Sequence, residues 1–466
     1  MVNNTINIRR NFIKIYCNFE FLKYSNSLRT SIIKFIDNPV QLKQQVLTWA
    51  QQFREVVFLD SNDYPQQYSS YDSILAVDAF TSIKTDSNNA FEDLKQYQQI
   101  TKDWLFGYLS YDLKNDVEVL NSNNFDGLNF PDLFFFQPKK LYLLKGNQLE
   151  IQYLNLCDDE IDEDFEKIRS QCSDFRPERK RAGEVFQISD VEIKQRISKD
   201  NYLDKVSNLL EHIHRGDIYE ANFCMEFFAE NVVINPLEKF LKLNEISKSP
   251  QAVFLKNNKQ FLLSASPERY IKKEGSLLIS QPIKGTAKRF LDPIEDENSK
   301  TLLALDPKER SENIMVSDLV RNDLSRTAQK GSVQVEELCI IYSFEQVHQM
   351  ISTITSQIDS QYSAIDVIRT TFPMGSMTGA PKVSVMKIIE ELEETKRGLY
   401  SGAVGYFTPN GDFDFNVVIR SILYNQKNKY VSFSVGSAIT SQSIPANEYE
   451  ECLLKAKAMH EVLESK

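Results

Sequence analysis

Apolar residues recur along this chain with two different periods. Over 198–215, Leu203, Val206, Leu209, Leu210 and Ile213 fall three or four apart, the spacing that lines one face of a helix. Further helices are predicted over 307–327, over about 380–396 after "GAPK", and from about 446. Strands are predicted where apolar and β-branched residues crowd into short runs. "EVVFLD" and "KKLYLLKG" come early, followed by "AVFLKNN", "QFLLSAS" and "SLLISQPI". "SGAVGYFT", "FNVVIRSILYN" and "YVSFSVGSAIT" come later. "PNGD" (409–412) between two of these runs is a hairpin signal. Many antiparallel strands with interspersed helices predict an α+β fold, with layered sheets and helices outside.

The pattern also marks a boundary. Residues 1–160 are rich in aromatic and β-branched residues, and the acidic "CDDEIDEDFEKI" and basic "RPERKRAGEVF" follow. This switch predicts a boundary near 175–190, with an N-terminal subdomain over 1–185 and a catalytic domain over 186–466. The 466-residue length allows two to four domains, or one large domain with subdomains.

Composition narrows the partners. Lys+Arg number 54 against 65 Asp+Glu, a net charge of −11 without a long basic stretch, which argues against nucleic acid. A small anion held by one or two buried cations stays compatible with that balance. The six cysteines are scattered without a CxxC pair, so reduced, buried thiols are expected. The first residues lack an apolar core of signal-peptide length, and no run approaches the ~18 apolar residues of a membrane helix. A cytoplasmic protein without a membrane partner is the expectation.

Several features carry candidate chemistry. Glu448 and Glu451 sit three apart on one predicted helix, with Lys455 a turn further on, and Glu309 and Glu312 repeat the spacing on another. Such pairs are either solvated helix faces or ligands for a hard cation such as magnesium. "FPMGSMTGAPK" and "VGSAIT" are small-residue turns that allow close backbone approach or tight packing. The four histidines form no HExxH motif, and a cysteine–histidine hydrolase is unsupported, so no glutaminase is evident. Lys284, in "QPIKGTAKR", reads locally as either a solvated turn lysine or a reagent held in a small-residue pocket.

In their order along the chain these pieces resemble the chorismate-utilising enzymes, whose members include the large subunits of anthranilate synthase and aminodeoxychorismate synthase. The resemblance is carried by "SASPERY" (264–270), "PIKGTAKR" (282–289) and "KERSENIMVSDLVRNDLSR" (308–326). "VHQMIS", "FPMGSMTGAPK", "LYSGAVGYF", "VVIRS" and "NEYEECLLKAKAM" extend it. "FGYLSYDLKND" (106–116) and "GDIYEANF" (216–223) are similar to segments of the aminodeoxychorismate synthase branch.

The resemblance implies a fold of two large, mostly antiparallel sheets packed as a sandwich. Lysine rather than alanine between "PI" and "GT" implies amination of chorismate at C4, with Lys284 as covalent nucleophile at C2 and Glu268 as general acid/base. A desolvated pocket is expected to lower the lysine's pKa. The resemblance further implies Mg²⁺ held by Glu312, Glu451 and Glu448, with Glu309 a lesser candidate. Arg420, Tyr400 and Lys455 are implied for the enolpyruvyl carboxylate, Gly436 for backbone N–H donors, and Gly285, Thr286 and His348 for the pocket lining. Ammonia is expected from a separate glutamine amidotransferase subunit. Two departures stand out: Ala438, two residues after Gly436, replaces a usual glycine but is small enough to keep a backbone contact, and "EISKSPQAVFL" (245–255) argues against tryptophan inhibition. The rival readings are the large subunit of anthranilate synthase, a lyase, then an isochorismate or salicylate synthase, and a non-catalytic chorismate-binding protein.

Overall fold

The computed structural model describes residues 28–64, 67–171 and 191–465; the boundary expected near 185 lies outside them. The chain opens with β1 (Arg29–Phe35), α1 (Pro39–Ala50), β2 (Glu55–Asp60), β3 (Ser73–Thr85), α2 (Ala90–Thr101) and β4 (Leu105–Leu109). A short α3 (Lys114–Val117), β5 (Leu133–Lys145), β6 (Gln148–Leu154) and α4 (Ile161–Arg169) follow. Next come β7 (Lys194–Gln195), α5 (Lys199–Arg215), β8 (Glu220–Glu230), α6 (Pro236–Ser247), β9 (Gln251–Asn257) and β10 (Gln260–Ser266). Then β11 (Arg269–Glu274), β12 (Leu277–Gln281), β13 (Ile283–Lys288), α7 (Pro293–Leu305) and α8 (Pro307–Ser325) lead into β14 (Gln334–Ser343) and β15 (Val347–Gln357). The last stretch holds α9 (Ala364–Thr371), β16 (Gly379–Ala380), α10 (Lys382–Leu392), β17 (Ala403–Phe407) and β18 (Phe413–Val417). It ends with β19 (Ser421–Asn425), β20 (Tyr430–Thr440) and α11 (Pro445–Glu464).

Every ladder between these strands is antiparallel, and the pairings trace two sheets. One runs β1–β6–β5–β3–β2–β9–β10–β19–β20–β8, with β7 and β16 on β8. The other runs β5–β4–β17–β18–β11–β12–β15, with β13 and β14 on β15. The long strand β5 belongs to both: Leu133–Phe136 pair with β4 and Lys140–Lys145 with β6. The expected sandwich is therefore one hydrogen-bonded network folded over. Because β2 pairs with β9 and β4 with β17, strands from both halves of the chain share each sheet.

Side-chain alternation gives each face of the first sheet its own core. Val56, Phe58, Leu75 and Val77 join one cluster with residues of α1, α4, α5, α6 and α11. Val57, Ile74 and Ala76 point the other way, into a second cluster shared with Phe413, Phe415, Leu278 and Ile354 of the second sheet. That second cluster continues to Phe91 of α2 and Ile368 of α9. The four cysteines among the described residues are free and buried, as expected.

Two predicted strands are in fact broken, and the breaks matter. "FNVVIRSILYN" divides into β18, in the second sheet, and β19, in the first. "SLLISQPI" divides at Pro282, whose missing N–H cannot continue a ladder. The predicted helices begin close to their expected positions because their caps are local. The Ser198 side chain accepts from Asn201 N–H at the start of α5, and the Asp306 side chain accepts from Lys308 and Glu309 N–H ahead of Pro307 in α8.

Candidate active site

Glu268 and Arg420 both sit where the chain passes from one sheet to the other. Glu268 lies between β10 and β11, and Arg420 between β18 and β19. The two crossings are bonded together: Val417 N–H donates to the Glu268 carbonyl at 3.0 Å, and Ala265 N–H to the Arg420 carbonyl at 3.1 Å. Arg420 takes the left-handed conformation (φ +51°), a strained choice for a non-glycine residue that the crossing imposes.

Glu268 is 4% exposed, and burial pushes its carboxyl up to about 7 against the Ser376 hydroxyl, the Lys284 charge and the Ile283 N–H. A carboxyl that holds its proton near neutrality can serve as a general acid.

Lys284 comes within the electrostatic field of this acid through a break in regular pairing. Ile283 opposes Ile351 and Thr286 opposes Gln349, so Lys284 and Gly285 bulge from the β13–β15 ladder. Gly285 has φ +95°, and a Cβ there would meet Glu309 Oε2 and Met350 Cβ at 3.2 Å. Asn313 of α8 holds the bulge, donating through Nδ2 to the carbonyls of Lys284 (3.2 Å) and Met350 (3.0 Å). Thus directed, Lys284 Nζ donates to Glu220 Oε1 at 3.0 Å, with 12% of the lysine side chain and 2% of the glutamate side chain exposed.

This corrects one expectation. Burial alone would lower the lysine's pKa, but Glu220, Glu312 and Glu268 outweigh it and hold the ammonium charged, above the usual range. Sequence reasoning placed the lysine in a merely desolvated pocket and missed Glu220. The available signal was a glutamate opening the β-prone run "EANFCMEFF", a place where a buried charge needs a partner.

The implied metal ligands lie close by but are unevenly available. Burial pushes Glu312 up to about 7, opposed by Lys284 and reinforced by Glu220 and Glu309. Its Oε1 is buried without a hydrogen-bond partner, with Lys308 Nζ 3.8 Å away. Glu448 is fully engaged, accepting from the Ser437 hydroxyl and from Lys308 Nζ at 3.2 Å. Glu451 pairs with Lys455 Nζ at 2.6 Å, and despite burial Lys455, Lys308 and Lys284 hold its carboxyl below the usual range. Burial and Glu451 push Glu309 up. Among the described residues no three acidic, histidine or cysteine side chains gather closely enough to enclose a metal. The orphaned Glu312 oxygen fits a hard cation whose remaining ligands come from a bound oxyanion and water.

A second set of groups suits a carboxylate. Arg420 has no hydrogen bond or ion pair to its guanidinium among the described residues, and burial holds its pKa below the usual value. A half-buried guanidinium without a hydrogen-bond partner is a fork waiting for an anion. Tyr400, 4% exposed, lies close enough to Arg420 to interact electrostatically. Lys455 Nζ donates to the Gly436 carbonyl at 2.9 Å. Gly436 faces Cys224 on β8, and Cys224 N–H turns away to Glu393 Oε1, so this is a non-hydrogen-bonded pair. The Gly436 N–H therefore lies on the free edge of β20, consistent with a backbone donor. A Cβ at Gly436 would come within 2.8 Å of Cys224 Sγ.

The remaining implied residues divide. Thr286 is exposed beside the bulge. His348, 1% exposed, has both nitrogens engaged, Nδ1 with the Ser343 hydroxyl (2.8 Å) and Nε2 with Asp296 (3.1 Å) on α7. "FGYLSYDLKND" braces the loop before Tyr400. Tyr111 N–H donates to the Gly398 carbonyl, Asp112 accepts from Gly398 N–H, and the Tyr111 ring carries the Arg397 guanidinium at 4.5 Å.

The match to known proteins agrees with this geometry. The family described as chorismate binding enzyme matches residues 54–461. A probable aminodeoxychorismate synthase of Oryza sativa subsp. japonica is 34% identical over 412 residues, 80% of this chain but 46% of that protein. The chain thus spans under half the length of that plant relative. Aminodeoxychorismate synthase component 1 of Bacillus subtilis is 31% identical over 398 residues, 83% of this chain and 80% of that one. The crystal structure of anthranilate synthase component I from Streptococcus pneumoniae superposes with a TM-score of 0.72 at 24% identity, over 85% of this chain and 93% of that one, which establishes the shared fold. A crossing that carries a buried acid, a bulge that directs a lysine onto Glu220 within the field of that acid, and an arginine without a hydrogen-bond partner thus occur in a chain that belongs to the chorismate binding enzymes.

Proposed function

We propose that this chain aminates chorismate at C4, giving 4-amino-4-deoxychorismate on the route to 4-aminobenzoate, with ammonia delivered by a separate glutamine amidotransferase component. The observation that carries this reading is the bulge that lifts Lys284 out of its ladder into the carboxylates around Glu268. A lysine there can act on the ring, whereas a pocket built only to bind a dicarboxylate would need no acid and amine together.

The steps follow from the groups present. The ring substrate would lie between Arg420 and the Glu268–Lys284 pair, with Arg420, Tyr400 and the Gly436 N–H holding the enolpyruvyl carboxylate. Lys284, once neutral, attacks C2 from a tethered position of high effective concentration. The ring double bond shifts and the C4–O bond breaks, and Glu268 gives its proton so that the hydroxyl leaves as water. Ammonia then adds at C4, the C2–N bond breaks and Lys284 departs as the amine. The proton shed by the new ammonium returns Glu268 to its acid form. Glu312 and Glu451 would hold Mg²⁺, which when bound would neutralise the ring carboxylate.

The test is product analysis. Purified protein is incubated with chorismate, Mg²⁺ and ammonium, and the products are separated. An amino-substituted chorismate without pyruvate is expected, while anthranilate with pyruvate would overturn the reading. Intact mass after exposure to chorismate without ammonia should reveal an adduct that Lys284→Ala abolishes.

A further inference from the structure

We propose that Glu220 is the positioning residue for Lys284 and the acceptor of the proton that this lysine must lose before its nitrogen can attack. The inference rests on the reading of Lys284 as nucleophile and adds the missing first step.

The geometry singles out Glu220. Among the described residues it is the carboxylate within 4.0 Å of Lys284 Nζ. Glu220 Oε1 accepts from the ammonium, while Oε2 is buried and has no hydrogen-bond partner. The spare oxygen leaves the carboxylate free to take on a proton without giving up another bond. Its backbone is fixed on both sides. Tyr219 N–H donates to the Ala380 carbonyl at 2.7 Å and Asn222 N–H to the Thr378 carbonyl at 2.8 Å, while β20 pairs with β8 through to Glu220. Lys284 is fixed as firmly by the bulge and Asn313. Both partners of the 3.0 Å contact therefore stand on rigid elements, the arrangement that proton transfer needs.

The other charged groups do not fill this role. Lys284 feels Glu312 from α8 and Glu268 from the β10–β11 crossing, and its charge reaches Glu451 of α11. Glu268 already carries the proton that the departing hydroxyl needs, so it cannot also accept the one that Lys284 loses. The step balances: the Lys284 ammonium and Glu220 carboxylate become amine and carboxylic acid, the amine forms its bond to C2, and the proton returns when the C2–N bond breaks.

The test uses Glu220→Gln, Glu220→Asp and Lys284→Ala in the full chain, assayed with chorismate, Mg²⁺ and saturating ammonium from pH 6 to 10. Glutamine keeps the shape and one acceptor oxygen but cannot hold the proton. For Glu220→Gln we expect kcat at pH 7 to fall roughly 100-fold or more, KM for chorismate to stay within about threefold, and activity to climb with pH as solvent base removes the lysine's proton. The chorismate adduct, read by intact mass without ammonia, should be absent at neutral pH and appear at alkaline pH. Glu220→Asp should recover part of the rate. A carboxylate that only holds the lysine charged would give the opposite result, because its removal would free the amine. Activity at or above the unmodified level near pH 7 therefore overturns the proposal. Were the glutamine variant not to fold, Glu220→Asp decides alone: an unchanged pH profile overturns it, and a lower kcat with the rising alkaline limb supports it. Full amination by Lys284→Ala would sink the parent reading, whereas an inactive Lys284→Ala beside a fully active Glu220→Gln sinks only the role of Glu220.

Discussion

Replacing Glu268 by glutamine should make the protein more stable at alkaline pH while disabling it. The folded protein holds this carboxyl near 7, against an ordinary value of 4.5, so at intermediate pH the native state binds a proton that the unfolded chain has released. Stability associated with Glu268 is therefore fully present below about pH 4.5 and is lost as pH rises through 7. At about 1.4 kcal/mol per unit, a shift of about 2.5 units amounts to about 3 kcal/mol. Full weight is appropriate because the group is 4% exposed. Glutamine has no such proton to lose, so Glu268→Gln should gain about 3 kcal/mol on the parent protein between pH 4 and pH 8. Denaturant unfolding of both proteins at those two pH values measures the difference directly. Turnover of the variant should drop roughly 100- to 10,000-fold, the usual contribution of a general acid. A stability difference that does not change with pH would refute the burial argument, and turnover within a few-fold of the parent would refute the acid role.

Four further outcomes follow from the same geometry. Arg420→Met should raise KM for chorismate roughly 10- to 100-fold without loss of stability, since it removes a half-buried charge that has no hydrogen-bond or ion-pair partner among the described residues; steady-state kinetics and thermal unfolding check both halves. Gly436→Ala should lose about 1–3 kcal/mol of stability, because its Cβ would stand 2.8 Å from Cys224 Sγ on the paired strand; thermal unfolding reads this. Asn313→Ala, which releases the carbonyls on either side of the bulge, should lower kcat more than it raises KM, as kinetic constants determined together would show. Chelation should abolish turnover and magnesium restore it, while Glu312→Gln should stay inactive over a magnesium titration.

Much of the fold was legible because its determinants are local. Ser198 and Asp306 cap their helices through side chains three residues or fewer from the amides they satisfy, and β20 occupies the run "YVSFSVGSAIT" from end to end. α7 was overlooked, although Asp292 followed by Pro293 is a clear helix start. The sheet-to-sheet crossings were not legible. Val418, Ile419 and Arg420 continue the β-prone character of their neighbours, and only the presence of two separate sheets makes them a junction. The site followed the same division. Lys284, Glu268, Arg420 and Glu312 were expected from their motifs, and the structure brings Glu268 and Glu312 within the field of Lys284. The lysine's charge state was misjudged because it depends on carboxylates from β8, α8 and the β10–β11 crossing, residues that approach one another only in the folded chain. His348 carries a matching motif, yet its nitrogens are committed to Ser343 and Asp296.

The paired crossings at Glu268 and Arg420 set a limit on how this chain can vary in length. One residue added to either crossing would reverse the facing of every side chain in the strand beyond it, since facing alternates residue by residue. The same insertion would pull apart the 3.0 Å and 3.1 Å bonds that tie the crossings to each other. Two sheets would lose register together, and the acid would separate from the arginine. The hairpin at 409–412 joins two neighbouring strands of one sheet, so residues added at its tip, short of Asp412, leave both crossings in register. Among relatives of this chain, insertions should accumulate at such hairpins, while both crossings keep a constant residue count even where their flanking sequences drift.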